Sequence, residues 1–175
     1  MRIKKSIAFL LSLMMMLSIV SPLSVAAETS AETPTITVQS LADTAGATIN
    51  VNVVIENNPG ILGATLEFEY DEGLTLLNAT AGDAFSALTM TKPGKFTSPC
   101  KFVWDGQEIS SEDVKDGTIL TLQFKIDENA DAGDDFEIDI SYENGDILDA
   151  NLCAVDVDLI SGCISVVDFL QGDLD

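Results

Sequence analysis

The sequence predicts an all-β domain, an antiparallel sandwich or jelly roll, on three observations. Apolar residues recur with period two through most of the chain, the pleat of a strand buried on one face. Beyond residue 34, no convincing run carries apolar groups at the helical spacing i, i+3, i+4, i+7. Clusters of Asn, Asp, Pro and Gly break the alternating runs at short intervals, as in a sandwich rather than in alternating βα units.

The first 27 residues stand apart. Met1-Arg2-Ile3-Lys4-Lys5 is a basic start, 7–20 is an apolar run, and Ser24-Val25-Ala26-Ala27 offers small residues for cleavage, the pattern of a secretory signal peptide. The run stops at Ser21-Pro22, short of the about 20 apolar residues that cross a bilayer. Removing 27 of the 175 residues leaves 148, and losing Arg2, Lys4 and Lys5 takes the net charge from −21 to −24. A secreted, extracellular or cell-surface protein with no membrane insertion is expected. Residues 28–34 read as a polar linker, 35–167 as one domain, and 168–175 as a C-terminal tail.

Within the domain, 35–38 alternates, and 47–53 sets Ile49, Val51 and Val53 to one side. Asn57-Asn58-Pro59-Gly60 is a strong turn signal. The cleanest alternation is 64–70, with Ala64, Leu66, Phe68 and Tyr70 turned inward and Thr65, Glu67 and Glu69 outward. Strands follow at 74–77, more weakly near 88–91, and at 101–105, where Phe102 and Trp104 share a face. In 118–126, Leu120, Leu122, Phe124 and Ile126 alternate with Ile119, Thr121, Gln123 and Lys125. Runs at 136–143, 152–157 and 163–167 complete about nine strands. Two sheets then bury their apolar faces together and leave acidic or hydroxylic faces wet.

Composition excludes several chemistries. The chain has no histidine, which removes Ser-His-Asp and Cys-His catalysis, the imidazole base and His-ligated zinc or haem. A net charge of −21 repels nucleic acid and anionic lipid. Three cysteines, Cys100, Cys153 and Cys163, are too few for a four-Cys zinc site. Cys153 and Cys163 are equidistant from Asp158 and pair if a hairpin turn falls there; otherwise the three thiols serve as small apolar groups.

Carboxylate chemistry carries little information here, because 29 acids make close pairs by chance almost anywhere. The only Trp, Trp104, falls on the core side, which argues against an aromatic sugar platform. Asp127-Glu128-Asn129-Ala130-Asp131-Ala132-Gly133 has Asp, Asn and Asp at the first, third and fifth places of a calcium loop. Ala132 and Ile138 occupy the places of its obligatory Gly and Glu, so it reads as a connecting loop. Asp173 and Asp175 have the spacing of the first two ligands of such a loop, the start of a dockerin-like module if the precursor continues. No catalytic residue, resident metal or cofactor is assigned.

The order of segments resembles a cohesin, the receptor module of cellulosomal scaffolding proteins (scaffoldins). The likeness is carried by Gly63-Ala64-Thr65-Leu66-Glu67-Phe68-Glu69-Tyr70-Asp71 followed by Leu74-Thr75-Leu76, by Phe102-Val103-Trp104-Asp105, and by Asp116-Gly117-Thr118-Ile119-Leu120. Ala130-Asp131-Ala132-Gly133-Asp134-Asp135-Phe136 and Ser161-Gly162-Cys163-Ile164-Ser165-Val166 complete it. The resemblance implies a nine-stranded antiparallel β-sandwich with jelly-roll topology and a non-catalytic module of cellulosome assembly. Its partner would be a dockerin-bearing protein, with calcium on the dockerin, and the module would act as a monomer. The implied dockerin-binding residues, on the family's strands 8, 3, 6 and 5, are Thr65, Glu67, Glu69, Lys101, Val103, Asp105, Ser141 and Glu143. For strand 5 either Leu88 and Met90 or Thr89 and Thr91 face the partner. Gly63 and Thr65 stand where many type I cohesins carry polar or acidic contacts, so no specificity class is transferred. The rival reading is a carbohydrate-binding sandwich module, with a small glycosidase third.

Overall fold

A computed structural model describes residues 32–168; the leader at 1–27, residues 28–31 and the tail from 169 onward lie outside the described residues. Twelve strands form where alternation is strongest and at their margins. They are β1 (Thr35–Val38), β2 (Leu41–Asp43), β3 (Thr48–Glu56), β4 (Ile61–Tyr70), β5 (Leu74–Ala81) and β6 (Thr89–Thr91), then β7 (Cys100–Asp105), β8 (Gly117–Ile126), β9 (Asp135–Ser141), β10 (Ile147–Asp149), β11 (Asp158–Ile160) and β12 (Gly162–Val166). One sheet runs β11-β1-β3-β8-β5 and the other β2-β12-β9-β4-β7-β6, with β10 beside β4. The described residues contain no helix.

The period-two pattern becomes the core. Inward residues of both sheets, among them Ile36, Val53, Leu66, Phe68, Phe102, Trp104, Leu122, Phe124 and Ile138, are buried together. Each such side chain stabilises the sandwich by about 1.5–3 kcal/mol. The rings meet edge to face, Phe68 on Phe102 at 5.8 Å and Phe85 on Trp104 at 5.9 Å, the arrangement their quadrupoles prefer. Trp104 is buried as expected, and its indole Nε1 has no hydrogen-bond partner among the described residues.

The Asn57-Asn58-Pro59-Gly60 turn locks the entry to β4. Buried Asn58 accepts through Oδ1 from the N–H groups of Gly60 (3.0 Å) and Ile61 (3.2 Å). It donates from its own N–H to Asp116 Oδ1 at 2.9 Å and from Nδ2 to the Lys115 carbonyl at 3.1 Å. The turn thereby ties the start of β4 to the approach to β8.

The architecture departs from the nine-stranded expectation in detail. β2 and β10 have three residues each, too few to show a period. Residues 152–157 form no strand; a turn occupies 150–152, and the strand begins at Asp158. The pairing is not wholly antiparallel either, since β1 pairs β11 and β2 pairs β12 in parallel. These four strands close the sandwich, because the chain leaves one sheet for the other between β1 and β2 and again between β11 and β12. At the second crossing a Cβ on Gly162 would stand 2.7 Å from the Val38 carbonyl oxygen, so the position requires glycine. Asp158 aligns with Thr35 inside a strand, which leaves no hairpin to join Cys153 and Cys163, and all three thiols are free.

Candidate functional site

β4 is the axis of the second sheet's outer wall. It pairs with β7 on one side and, on the other, with β9 along its second half and β10 along its first. The alternation predicted for 64–70 is observed, so Gly63, Thr65, Glu67 and Glu69 present their outward side to solvent while Ala64, Leu66 and Phe68 are buried. Register then assembles rows across the strands. Leu148, Gly63, Asp105 and Thr89 form the first row. Thr65, Val103 and Thr91 form the second, with the Asp146 carbonyl accepting from the Thr65 N–H at 2.9 Å. Ser141, Glu67 and Lys101 make the third row, and Asp139 faces Glu69 in the fourth. Beyond it Glu137 donates its N–H to Asp71 Oδ2 at 2.8 Å.

Charge is therefore graded along the wall. The first two rows hold one acid, Asp105, among glycine, threonine and aliphatic groups. The third is compensated: Lys101 Nζ lies 3.5 Å from Glu67 and 3.8 Å from Glu143. The fourth row and the ground beyond it are acids without a cation beside them. Between Lys101, Glu67, Glu143, Thr65, Ser141 and Asp146 lies a shallow pocket of about 50 Å³. The opposite wall is of another kind: on β3 and β8, Asn52 accepts from the Thr121 hydroxyl at 2.9 Å and Asn50 from Gln123 Nε2 at 3.2 Å. Its hydroxyls and amides satisfy one another.

All eight residues singled out in the sequence lie on or beside the graded wall. Seven sit on its strands; Glu143 lies past the end of β9, in a turn where its N–H donates to Asp146 Oδ2 at 3.1 Å, and its carboxylate reaches back to Lys101. The register of the fifth family strand, here β6, is resolved: Met90 aligns with buried Trp104, so Thr89 and Thr91 face outward, and Leu88 is buried. The apolar patch consequently has Val103, 37% exposed, without Leu88 or Met90 beside it. Asp139 and Glu137 share Ser141's parity on β9 and were missed, although the alternation of 136–143 signals them. Leu148 was missed because β10 is too short to read.

Other acids in the sequence are locally engaged. Asp127 Oδ1 accepts from the N–H and the Nδ2 of Asn129 at 2.9 and 3.0 Å, and Glu128 pairs with Lys125 at 2.6 Å. Those donors hold the carboxyls of Asp127 and Glu128 below their usual range. Behind the wall, burial pushes the Cys100 thiol up to about 11, with the charge of Glu67 acting in the same direction. That thiol is inert rather than nucleophilic.

Comparison with known proteins agrees with this geometry. Residues 34–166 match the family model of the cohesin domain. Curated proteins yield no match. Among solved structures, a non-cellulosomal cohesin from the hyperthermophilic archaeon Archaeoglobus fulgidus superposes with a TM-score of 0.65 at 19% identity, over 78% of this chain and 92% of that one. The third cohesin ScaC of Acetivibrio cellulolyticus, solved with the ScaB dockerin in a type I interaction, gives 0.65 at 18% identity, over 77% and 99%. A type III cohesin module from the ScaE cell-surface anchoring scaffoldin of Ruminococcus flavefaciens gives 0.65 at 16% identity, over 78% and 88%. These likenesses establish the fold, and the family model spans the twelve strands: the chain belongs to the cohesin family.

Proposed function

We propose that this chain is a non-catalytic docking module that binds a dockerin on the β9-β4-β7-β6 wall. The observation that carries the reading is the wall itself, an open sheet face on which Lys101 meets Glu67 and Glu143 while further acids stay uncompensated. Its pocket of about 50 Å³ is far below the roughly 300–1,000 Å³ of small-molecule sites, and the chain has no histidine for acid-base work. Such a face suits a helical partner with basic residues beside a short apolar stretch. The expected assembly is extracellular, exported by the 1–27 leader, with calcium resident on the dockerin and this chain acting as a monomer.

The test is capture from the producer's culture supernatant on the immobilised mature chain, with calcium or with a chelator. Dockerin-bearing proteins should be held in calcium and released by the chelator, which unfolds the partner and spares the sandwich. Glu67→Lys and Asp105→Lys should each weaken capture about tenfold, while Glu28→Lys should not. Equal capture by all three variants would refute the placement. Retention on insoluble xylan or cellulose without any dockerin would replace the reading with a carbohydrate-binding one.

A further inference from the structure

We infer that the hairpin tip carrying Leu152 is a second, apolar docking element at the weakly charged end of the wall. A dockerin would then be held with an aliphatic side chain against Leu152 and its Lys or Arg residues over Glu69 and Asp139. The inference rests on the dockerin reading and adds residues and a direction to it.

Leu152 is the most exposed large apolar residue among the described ones, at 69%, so the fold gains little from burying it. Its φ is 61°, in the left-handed region where a bulky side chain is an outlier and where Gly or Asn would sit without strain. The turn that imposes this is firmly built. Asp149 Oδ1 accepts from the N–H groups of Asn151 and Cys153, both at 2.8 Å. The Leu152 N–H donates to the Asp149 carbonyl at 2.9 Å, and the Asp149 N–H to the Cys153 carbonyl at 3.0 Å. A leucine kept strained and solvated on a rigid turn is a cost to the free molecule, of the kind that persists where a side chain serves a contact.

Topology says where that contact would be. β10 runs antiparallel to β4, with Leu148 opposite Gly63 and Asp149 opposite Ile61, and Leu148 bridges Ala154 on its far side. Residues 149–153 are thus the tip of a hairpin in the plane of the same sheet, extending past the start of β4. The tip continues the row of Leu148, Gly63, Asp105 and Thr89, where Gly63 leaves the surface low. The uncompensated acids Glu69 and Asp139 lie at the opposite end. The partner's chemistry follows from that complementarity: an apolar residue at one end of the docking helix and cations at the other.

The probe is the dockerin recovered in the capture experiment, produced alone and loaded with calcium. Leu152→Gly and Leu152→Asn keep the turn and relieve its strain, so both should melt at or above the wild-type temperature. Both should nevertheless bind about tenfold more weakly, through faster dissociation. Glu69→Lys should instead slow association and flatten its salt dependence. Unchanged affinity in the Leu152 variants overturns the inference, as does a lowered melting temperature, which would make Leu152 a structural residue. If the wild-type chain captures no dockerin at all, the dockerin reading fails first and independently of these variants.

Discussion

Asp139→Lys separates folding from docking within a single substitution. Asp139 and Glu69 face each other across β9 and β4 on the outer wall, a like-charge pair in register. Opposed Cβ atoms lie about 4.5–5.5 Å apart, which puts the two carboxylates roughly 6 Å from each other. Their repulsion in water is then about 0.7 kcal/mol, and a screening length of about 8 Å at physiological salt halves it. A lysine turns repulsion into attraction of similar size, so the variant should gain about 0.7 kcal/mol. For a domain of this size that raises the melting temperature by about 2 °C. The gain should grow at about 10 mM salt, where the screening length is about 30 Å. Docking should move the other way. The substitution removes two units of negative charge from the end of the wall that attracts a basic partner, so association should slow about tenfold at low salt and lose most of its salt dependence. Scanning calorimetry at two salt concentrations and stopped-flow association with the captured dockerin read the two effects. A lower melting temperature, or an unchanged association rate and salt slope, would refute the reasoning.

Alkaline titration gives a further prediction, with its sign set by two buried groups. Cys100 is raised from 9.0 to about 11 by burial and then by Glu67, and Tyr70 from 10.0 to about 12 by burial and then by Cys100. The folded state thus favours both protonated forms. Stability from Cys100 should be complete below pH 9.0 and lost as pH rises through about 11, with Tyr70 following. Melting curves should be level up to about pH 9 and fall above it; a decline beginning near neutrality would contradict this. In the fold, Gly162→Ala forces a methyl to 2.7 Å from the Val38 carbonyl oxygen and should lower stability by about 1–3 kcal/mol in urea unfolding.

Much of the fold was legible because one face of each long strand had to be dry. β4, β8 and β9 run for seven to ten residues, enough to display a period of two, and their inward residues could be named before their partners were known. The three-residue strands show no period. The segment 152–157 was misread because Leu152, Val155 and Val157 imitate a strand, whereas in the structure Val157 alone of these is buried and the Asp158 N–H donates to the Pro34 carbonyl at 2.9 Å. That parallel docking to β1 joins residues more than 120 positions apart, and nothing local announces it.

The site divides along the same line, between parity and register. Parity belongs to each strand separately, and it places Thr65, Glu67, Glu69, Lys101, Val103 and Asp105 outward from the sequence alone. Register belongs to pairs of strands and decides which outward residues meet. Glu69 could as well have faced Lys101; in the structure Lys101 falls beside Glu67 and Glu69 is left to Asp139. A slip of two residues between β4 and β7 would preserve every buried side chain's orientation and still move the lone cation to the acidic end, removing the gradient. The direction of the charge gradient, and with it the orientation in which a basic helix would lie, is therefore carried by strand pairing rather than by composition.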